Sequence, residues 1–354
     1  MKPHILIIGA GIIGAAIAHR LAPKTHVMVL EAATPATLAS GSSFGWINAS
    51  FFHDPTHHRL RAEAIAAWAR LGPIADAVQW TGTLWWEETG EKFDAMAGTL
   101  WDLGYPVREV SPAEFRRLEP NIAPPPDRSL LFAAEGAVEA STQTTRLLSA
   151  AADHGAQLWT GTRITGFAQT DAGVIGVLTD QGPVFADHVI LATGAATESL
   201  LSPLGIKLPM LRRPGVLLAT QPLPPAIHHI LVGQAGELRQ AASGHLMIAA
   251  ALSHQSDDSE ALPATPGHLA DNVLARLGPL LPDYDLRWTR VTQALRPMPA
   301  DGLPAVGQVA SGLTVAVMHS GVTLAALMGE LVADEVLGQG PSPWLAPYRP
   351  DRFA

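Results

Sequence analysis

The chain has 354 residues, which is long enough for two domains or for one large domain with an insertion. Its 23 Lys and Arg residues are outnumbered by 32 Asp and Glu residues, so a formal net charge of -9 gives no electrostatic support to nucleic-acid binding. The absence of cysteine excludes disulfides, thiol nucleophiles, cysteine-ligated metals and a cysteinyl flavin bond. The fourteen histidines show no metal-ligand spacing, and we expect no bound metal.

The hydropathy pattern predicts a chain without a membrane-spanning segment. Although 47% of the residues are hydrophobic, no uninterrupted apolar stretch is long enough to cross a bilayer. The N-terminal residues Met1-Lys2-Pro3 lead directly into an apolar run, which leaves no room for a cleavable signal segment. We therefore expect a cytoplasmic protein.

The first thirty residues predict a dinucleotide-binding unit. The apolar run Ile5–Ile8 is typical of a buried parallel strand, and it passes through the glycine-rich turn Gly9–Gly14 into a helix-forming stretch. In such a turn Gly9 allows the tight bend, Gly11 lets the backbone approach a pyrophosphate, and Gly14 lets the helix pack closely on the strand. An ordinary glycine-rich loop is the alternative, but it does not account for the strand before and the helix after.

A second apolar strand, Val27–Leu30, ends in Glu31, about twenty residues after the first glycine, which is the spacing of a ribose-binding carboxylate. An acid at this place argues against the 2′-phosphate of NADP. The motif by itself leaves NAD and FAD open.

A small, hydroxyl-rich segment, SGSSFGWIN, occupies residues 40–48 just after the second strand. In a doubly wound sheet the loops at the carboxyl ends of the strands line the ligand crevice. We therefore expect its hydroxyls and amides to face the cofactor, and a plain surface loop is the alternative.

The rest of the chain alternates between two kinds of segment. Residues 79–132 and 207–290 carry short β-rich runs without a nucleotide signature, whereas 1–78, 133–206 and 291–354 combine apolar strands with helices. This pattern predicts an α/β protein, α+β overall, with a discontinuous Rossmann-like cofactor-binding domain. The β-rich segments form a discontinuous substrate-binding domain.

Two later segments bring further glycines to the predicted crevice. The apolar strand that includes Val189–Leu191 ends at Thr193-Gly194, and the strand Leu313–Met318 runs into His319-Ser320-Gly321 before a long helix. Free amides and the positive dipole end at such a helix N-terminus suit a phosphate or an anionic flavin edge.

Together these segments resemble the FAD-dependent oxidoreductases of the D-amino acid oxidase and glycine oxidase (DAO) family over nearly the full length. The resemblance is carried by Gly9–Gly14 with Glu31, by Ser42-Ser43 with Asn48, by Val189–Gly194, and by Ala294–Pro297, Asp301–Pro304 and His319–Leu324. The C-terminal pieces move the expected cofactor from NAD to FAD. Family members that attach flavin through histidine carry that histidine in the serine loop; residues 40–52 contain none, which implies non-covalent FAD.

The resemblance also implies roles for individual side chains. In the family, the arginine of a Leu-Arg-Pro segment binds the substrate carboxylate, and the resemblance gives this role to Arg296. A planar, permanently charged guanidinium suits the binding of a carboxylate. An internal ion pair beside Pro297 is the alternative. The stretch His319–Thr323 resembles the loop that meets the flavin pyrimidine, where amides stabilise negative charge. Arg239 and Gln240 resemble positions that face the flavin, and a solvated strand edge is the alternative.

The implied site divides into three sets. Arg296 and His319 are catalytic, and the substrate contacts are Arg296, Trp46, Arg239 and Gln240. The cofactor contacts are Gly9, Gly11, Ile12, Ile13, Gly14, Glu31, Ala32, Ser42, Ser43, Asn48, Ile164, Thr193, Gly194, His319, Gly321, Val322 and Thr323. The chain departs from the family at Glu139-Ala140, where Asp-Pro is frequent, and in having only three tyrosines. A tyrosine clamp over the substrate is therefore not expected, and Trp46, Trp85 or His53 are candidates for shaping the pocket.

We expect FAD-dependent oxidation of the C–N bond of a small amino acid or N-substituted amine to an imine, by hydride transfer to flavin N5. The substrate would be a D-amino acid, glycine or sarcosine, or a proline-like compound. One alternative is a hydroxy-acid or alcohol dehydrogenase with a histidine base such as His319 or His53. Another is an FAD-binding subunit of a larger electron-transfer complex. The sequence leaves open the electron acceptor (oxygen, a quinone or a redox partner) and whether the chain forms a homo-oligomer.

Overall fold

A computed structural model of the chain describes residues 2–250 and 260–354. Eight α-helices lie within these residues: α1 Ile12–Leu21, α2 Pro55–Arg70, α3 Gly90–Asp102, α4 Pro112–Leu118, α5 Ala140–Asp153, α6 Thr197–Leu201, α7 Pro266–Leu277 and α8 Gly321–Val336. Short 3-10 helices occupy Gly72–Ala75, Gly194–Ala196, Ser202–Leu204, Gly278–Leu280, Pro343–Tyr348 and Pro350–Phe353.

The strands of the same described residues are β1 His4–Ile8, β2 His26–Leu30, β3 Trp46–Ile47, β4 Thr83–Trp86, β5 Val107–Val110, β6 Ser129–Phe132, β7 Gly136–Ala137, β8 Gln157–Trp159, β9 Ile164–Thr170, β10 Gly173–Thr179, β11 Gly182–Phe185, β12 His188–Leu191, β13 Met210–Pro222, β14 Ile230–Gly233, β15 Gly236–Gln240, β16 His245–Ala249, β17 Trp288–Pro299, β18 Ala305–Ala310 and β19 Leu313–Val317.

Six of these strands form a sheet in the order β18-β19-β12-β1-β2-β8, and β1 runs parallel to both β2 and β12. Helices α1, α5 and α8 pack on one face, and the antiparallel sheet β9–β11 packs on the other. Ile5 and Ile7 face the helices while Leu6 and Ile8 face the small sheet, because successive side chains of a strand point to opposite faces. This layering confirms the predicted Rossmann-like α/β fold.

A second, eight-stranded sheet has the order β17-β13-β16-β15-β14-β4-β6-β5. Its pairs are antiparallel except for β14 and β4, which run parallel. Buried side chains of α4 and α7, including Phe115 and Val273, cover one face with a core of their own. The strands come from 83–132 and 210–299, so two distant pieces of chain build one sheet.

The predicted boundary at residue 291 does not fit this pairing. Strand β17 pairs with β13 from Pro299 opposite Met210 to Trp288 opposite Thr220. A boundary at 291 would cut this strand, so residues 291–299 belong with the eight-stranded sheet rather than with the cofactor-binding segments. The predicted range 207–290 also includes residues 251–259, which lie outside the described part of the chain.

The C-terminal tail is folded onto the molecule. Arg349 donates from Nη1 to Glu335 at 2.8 Å, and Arg352 donates from Nε to Asp301 at 2.7 Å. Among the described residues no helix has the length and apolar character that a membrane crossing requires.

Candidate active site

A cavity of about 560 Å³ lies between the carboxyl ends of the parallel strands and one face of the eight-stranded sheet. This is the size of a small-molecule or cofactor site. Most of the predicted site residues line it: Gly9, Gly11, Ile12, Ile13, Glu31, Ser42, Ser43, Trp46, Asn48, Thr193, Gly194, Arg296, His319, Gly321, Val322 and Thr323. Five do not, namely Gly14, Ala32, Ile164, Arg239 and Gln240.

The glycine turn has the geometry that the sequence predicts. Gly9 has a φ of 102°, and a Cβ on it would lie 2.5 Å from the carbonyl oxygen of Ala192 on the neighbouring strand end. Gly14 lies behind the cavity, where a side chain would collide with the carbonyl of Gly9. This close approach agrees with its predicted packing role, and Gly14 itself does not line the cavity.

The carboxylate at the end of β2 is held rigidly. Glu31 accepts hydrogen bonds from the backbone amides of Ala10 and Ala33, each at 2.9 Å, and it lines the cavity. Two residues predicted as cofactor contacts, Ala32 and Ile164, do not line the cavity. Ala32 is exposed outside the cavity, and Ile164 starts β9 and packs against the core on the opposite face of the parallel sheet.

The hydroxyl-rich segment reaches the N-terminus of α1. Ser40 accepts a hydrogen bond at its Oγ from the amide of Ile12 at 3.0 Å, and a Cβ on Gly11 would lie 3.2 Å from that oxygen. The first helical amide is therefore held by Ser40, and a side chain at position 11 would press on this contact. Sequence analysis included Ser40 in the segment but missed it as a contact of the glycine turn.

The opposite end of the cavity is formed where β3 meets α8. Thr323 donates to the carbonyl of Trp46 at 3.0 Å and accepts from the amide of Asn48 at 3.3 Å. Ser320, the N-cap of α8, has a φ of 57° in the left-handed region, and Ser320 to Thr323 line the cavity, so the N-terminus of α8 borders it. Such a terminus stabilises negative charge.

A buried polar network supports this wall from behind. Arg61 donates to Oδ1 of Asn48 at 2.6 Å, and Glu135 accepts from Nε1 of Trp46 and from the hydroxyl of Tyr105, both at 2.9 Å. Burial lowers the pKa of Arg61 to about 10, against the opposing effect of Glu135, and burial raises the pKa of Glu135. Sequence analysis missed Arg61 and Glu135, because nothing local marks residues brought together from distant segments.

The eight-stranded sheet contributes Arg296 from β17. Its side chain leans across Gly215 of β13, where a Cβ would lie 3.2 Å from the arginine Nε. Glycine at this position leaves the space that the guanidinium stem occupies. Arg296 lines the cavity together with His319, whose Nδ1 is 3.2 Å from the hydroxyl of Ser320.

The predicted substrate contacts Arg239 and Gln240 are corrected by their hydrogen bonds. Arg239 is 2% exposed, donates to the carbonyl of Phe44 and forms an ion pair with Glu139 at 2.6 Å, so it clamps the serine segment from behind and is no solvated strand edge. Gln240 accepts from the amide of Ala226 at 2.7 Å and donates to loop carbonyls. It lines a separate cavity of about 410 Å³.

Of the three side chains considered for shaping the pocket, only Trp46 lines the cavity. Trp85 packs in a core with Phe93, and His53 lies against Gly302. The wall also carries Glu237 of β15, a 4% exposed carboxylate that sequence analysis did not single out.

Comparison with known proteins identifies the family. The family model described as DAO, FAD dependent oxidoreductase, matches residues 4–335. The chain belongs to the DAO family of FAD-dependent oxidoreductases. Glycine oxidase from Pseudomonas aeruginosa is 26% identical over 99% of each chain, and an opine oxidase subunit from Agrobacterium tumefaciens is 26% identical over 93% of this chain and 92% of the other. The solved glycine oxidase from Geobacillus kaustophilus superposes with a TM-score of 0.86 at 25% identity, over 98% of each chain.

As a DAO-family oxidoreductase the chain is an enzyme whose cofactor is FAD, as the sequence predicts. The cavity fits this cofactor. The side-chain-free cradle at Gly9 and Gly11 suits a pyrophosphate, and the N-terminus of α8 suits an electron-rich ring edge. Glu31 lines the cavity at the strand end where a carboxylate would bind the ribose. FAD is bound non-covalently; the chain has no cysteine, and the serine segment has no histidine.

Proposed function

We propose that this FAD-dependent oxidoreductase oxidises the C–N bond of a small amino acid or N-substituted amine. The observation that carries the proposal is Arg296, which lines the same cavity as the dinucleotide cradle. A fixed guanidinium beside a flavin site binds a substrate carboxylate by paired, charge-assisted hydrogen bonds. The similarity to a glycine oxidase and to a subunit of an opine oxidase supports the same class of chemistry.

Each part of the cavity has a role in this proposal. Arg296 orients the substrate by its carboxylate, and Trp46 forms another part of the cavity wall, so that the α-carbon is held in one position. Bound FAD supplies the acceptor for the hydride that leaves this carbon. The amides at the start of α8 stabilise the negative charge that develops during reduction. The substrate amine binds neutral, so no side-chain base is required. Loss of the hydride leaves an iminium ion, which dissociates and is hydrolysed by water.

The rival activity in the same fold is oxidation of a hydroxy acid or alcohol. Among the described residues that line the cavity His319 is the one histidine, and it would have to act as the base. For an amine substrate the rate rises as the substrate amine loses its proton. For an alcohol the rate follows an imidazole and is lost in His319→Gln, and the pH profile of the reductive half-reaction separates the two.

A rival of another class is a flavoprotein that works only within a complex, since the opine oxidase relative is one subunit of its enzyme. In that case the purified chain is yellow but no substrate reduces it. The cytoplasmic location stays a prediction from sequence.

The decisive experiment is anaerobic reduction of the purified, FAD-loaded protein. The FAD-loaded protein is mixed with D-amino acids, glycine, sarcosine, proline or hydroxy acids, and the bleaching of the flavin is followed. We expect an amine to bleach the flavin, and Arg296→Leu to weaken substrate binding by about tenfold to a hundredfold. Arg290→Leu, an exposed arginine of the same strand, is the matched control and should behave as wild type.

Two outcomes contradict the proposal. If hydroxy acids bleach the flavin and amines do not, the protein oxidises alcohols. If no compound bleaches the flavin, the result favours the flavoprotein that works only within a complex. Readmitting air after bleaching then distinguishes an oxidase from a dehydrogenase.

A further inference from the structure

The substrate side of the cavity carries two charged side chains of opposite sign. Of the described residues that the eight-stranded sheet contributes to the lining, Arg296 and Glu237 are the ionisable ones. The rest of this wall is apolar or small, with Val216, Leu217 and Ala249 among its members. A substrate held by Arg296 through its carboxylate therefore extends over an apolar surface toward a carboxylate.

The pairing of the strands shows how far apart the two charges lie. Arg296 is opposite Arg213, whereas Leu217, four residues further along β13, is opposite Ala249. Glu237 lies one strand beyond, next to Leu238, whose partner Ile248 precedes Ala249. Three strand spacings and four residues correspond to roughly 15–20 Å between the Cα atoms of Arg296 and Glu237.

The two side chains shorten this separation without closing it. The stem of Arg296 crosses Gly215, which lies on the line from Arg296 toward the row of Leu217. Even with both side chains extended toward each other, the guanidinium and the carboxylate are farther apart than the amino and carboxyl groups on one α-carbon. Glu237 is therefore placed to meet a group several bonds further along the substrate.

We propose that Glu237 is a specificity-determining residue for a cationic group at the far end of the substrate, so that the preferred substrates are basic amino acids with an ω-amino or guanidino group. This inference rests on the proposed amine oxidation, and it narrows its substrate class. The apolar wall accommodates the methylene chain of such a substrate, and the carboxylate disfavours dicarboxylic substrates by like-charge repulsion.

Binding of carboxylates that cannot be oxidised at an α-amine tests the inference separately from catalysis. Calorimetric titration of the FAD-loaded protein compares 6-aminohexanoate with hexanoate, two ligands of equal chain length that differ in the terminal cation. We expect 6-aminohexanoate to bind tighter by about tenfold or more, as for one hydrogen bond to a charged group. In Glu237→Gln this preference falls to near unity while hexanoate affinity is unchanged, and Glu237→Asp keeps part of it.

The matched control is Asp283→Asn, which removes an exposed carboxylate from the same sheet-bearing segment and should leave the preference as in wild type. FAD content and the visible spectrum verify that each variant is folded. Equal binding of the two ligands by the wild type, or an unchanged preference in Glu237→Gln, overturns the inference.

Flavin reduction by amino acids gives the second test. Wild type should be reduced by basic amino acids at concentrations about tenfold lower than by neutral ones of similar length, and Glu237→Gln should lose this difference. If Glu237→Gln instead lowers the rate for all amino acids equally and shifts the pH profile, Glu237 is the base for the α-amine and the inference is wrong. Failure of every amine to reduce the flavin contradicts the proposed function, while the ligand preference measured by calorimetry is unaffected.

Discussion

Buried histidine in α2 makes the stability of the protein sensitive to acid. His57 is 5% exposed, and burial with the nearby Arg61 lowers its pKa to about 3. Its Nδ1 accepts a hydrogen bond from the amide of His53 at 3.2 Å, which only a neutral ring can do. Asp54 opposes the shift, and His53 and His58 add to it.

The sign of the pH effect follows from the lowered pKa. The unfolded chain takes up a proton on His57 near its ordinary pKa, whereas the folded chain does not until about pH 3, so folded stability is present at neutral pH and is lost as the pH falls. We expect about 2 kcal/mol to be lost between pH 7 and pH 5 from this side chain.

Urea unfolding of His57→Asn at pH 7 and pH 5 measures the contribution of His57 to the loss of stability. Asn retains an acceptor for His53 but does not titrate, so the pH difference should shrink by about 2 kcal/mol. His268→Asn, an exposed histidine in α7, should change nothing. An unaltered pH difference in His57→Asn would show that another group is responsible.

For individual residues, the sequence predicted positions best where a residue type has few possible roles. Gly9, Gly11 and Glu31 lie where the motif places them, because the turn, the backbone approach and the strand-end acid are local consequences of chain order. Arg61 and Glu135 could not be found this way. Their function depends on contacts with Asn48 and Trp46 that only the folded chain brings together.

At the scale of elements, the turn from β1 to α1 is where backbone geometry and cofactor binding coincide. Gly9→Ala places a side chain in a left-handed conformation and against a backbone carbonyl, which has no room to move. We expect Gly9→Ala to be purified with little or no FAD and to have a lower melting temperature. The ratio of flavin absorbance to protein absorbance measures the first effect.

The matched control is Gly98→Ala in α3, where a Cβ meets nothing and helix propensity improves. This variant should keep wild-type flavin content and gain a fraction of a kilocalorie per mole to about 1 kcal/mol of stability. Full flavin content in Gly9→Ala would contradict the role assigned to the turn.

Element boundaries were predicted closely where the hydrophobic periodicity agrees with the capping and proline signals in the sequence. Ser111-Pro112 marks the start of α4, and Ser111 accepts from the amide of Glu114 as the N-cap. The predicted domain boundary at 291 falls inside strand β17, which runs to Pro299. The pairing with β13 continues past Pro297, since tertiary pairing overrides local preference.

At the scale of the molecule, two sheets built from interleaved chain segments enclose one site. The alternation of segments was visible in sequence, because β-rich runs and strand–helix runs differ in composition. The face that each strand presents to the cavity was not visible. Arg239 and Gln240 are neighbours on β15, so their side chains point to opposite faces, and no sequence pattern assigned those faces.

Arg239 links the eight-stranded sheet to the serine segment and to the N-terminus of α5, and its loss should loosen this contact. It extends from the eight-stranded sheet to the carbonyl of Phe44 and to Glu139, both in the cofactor-binding segments. In Arg239→Met the serine segment loses its clamp, so we expect the free energy of unfolding to fall by about 1–3 kcal/mol and FAD to bind about tenfold weaker. Urea unfolding of the FAD-loaded protein and recovery of flavin fluorescence on dilution measure the two quantities.

The comparison with an exposed ion pair decides whether the buried contacts of Arg239 or the change in net charge cause the losses of stability and FAD affinity. Arg287→Met removes the same charge from a pair with Asp285 whose side chains are 76% and 73% exposed, and it should cost less than about 1 kcal/mol and leave FAD affinity unchanged. Arg239→Lys keeps the charge but not the planar fork, and should fall between wild type and Arg239→Met. Equal losses in Arg239→Met and Arg287→Met would mean that the buried contact does not couple the eight-stranded sheet to cofactor binding.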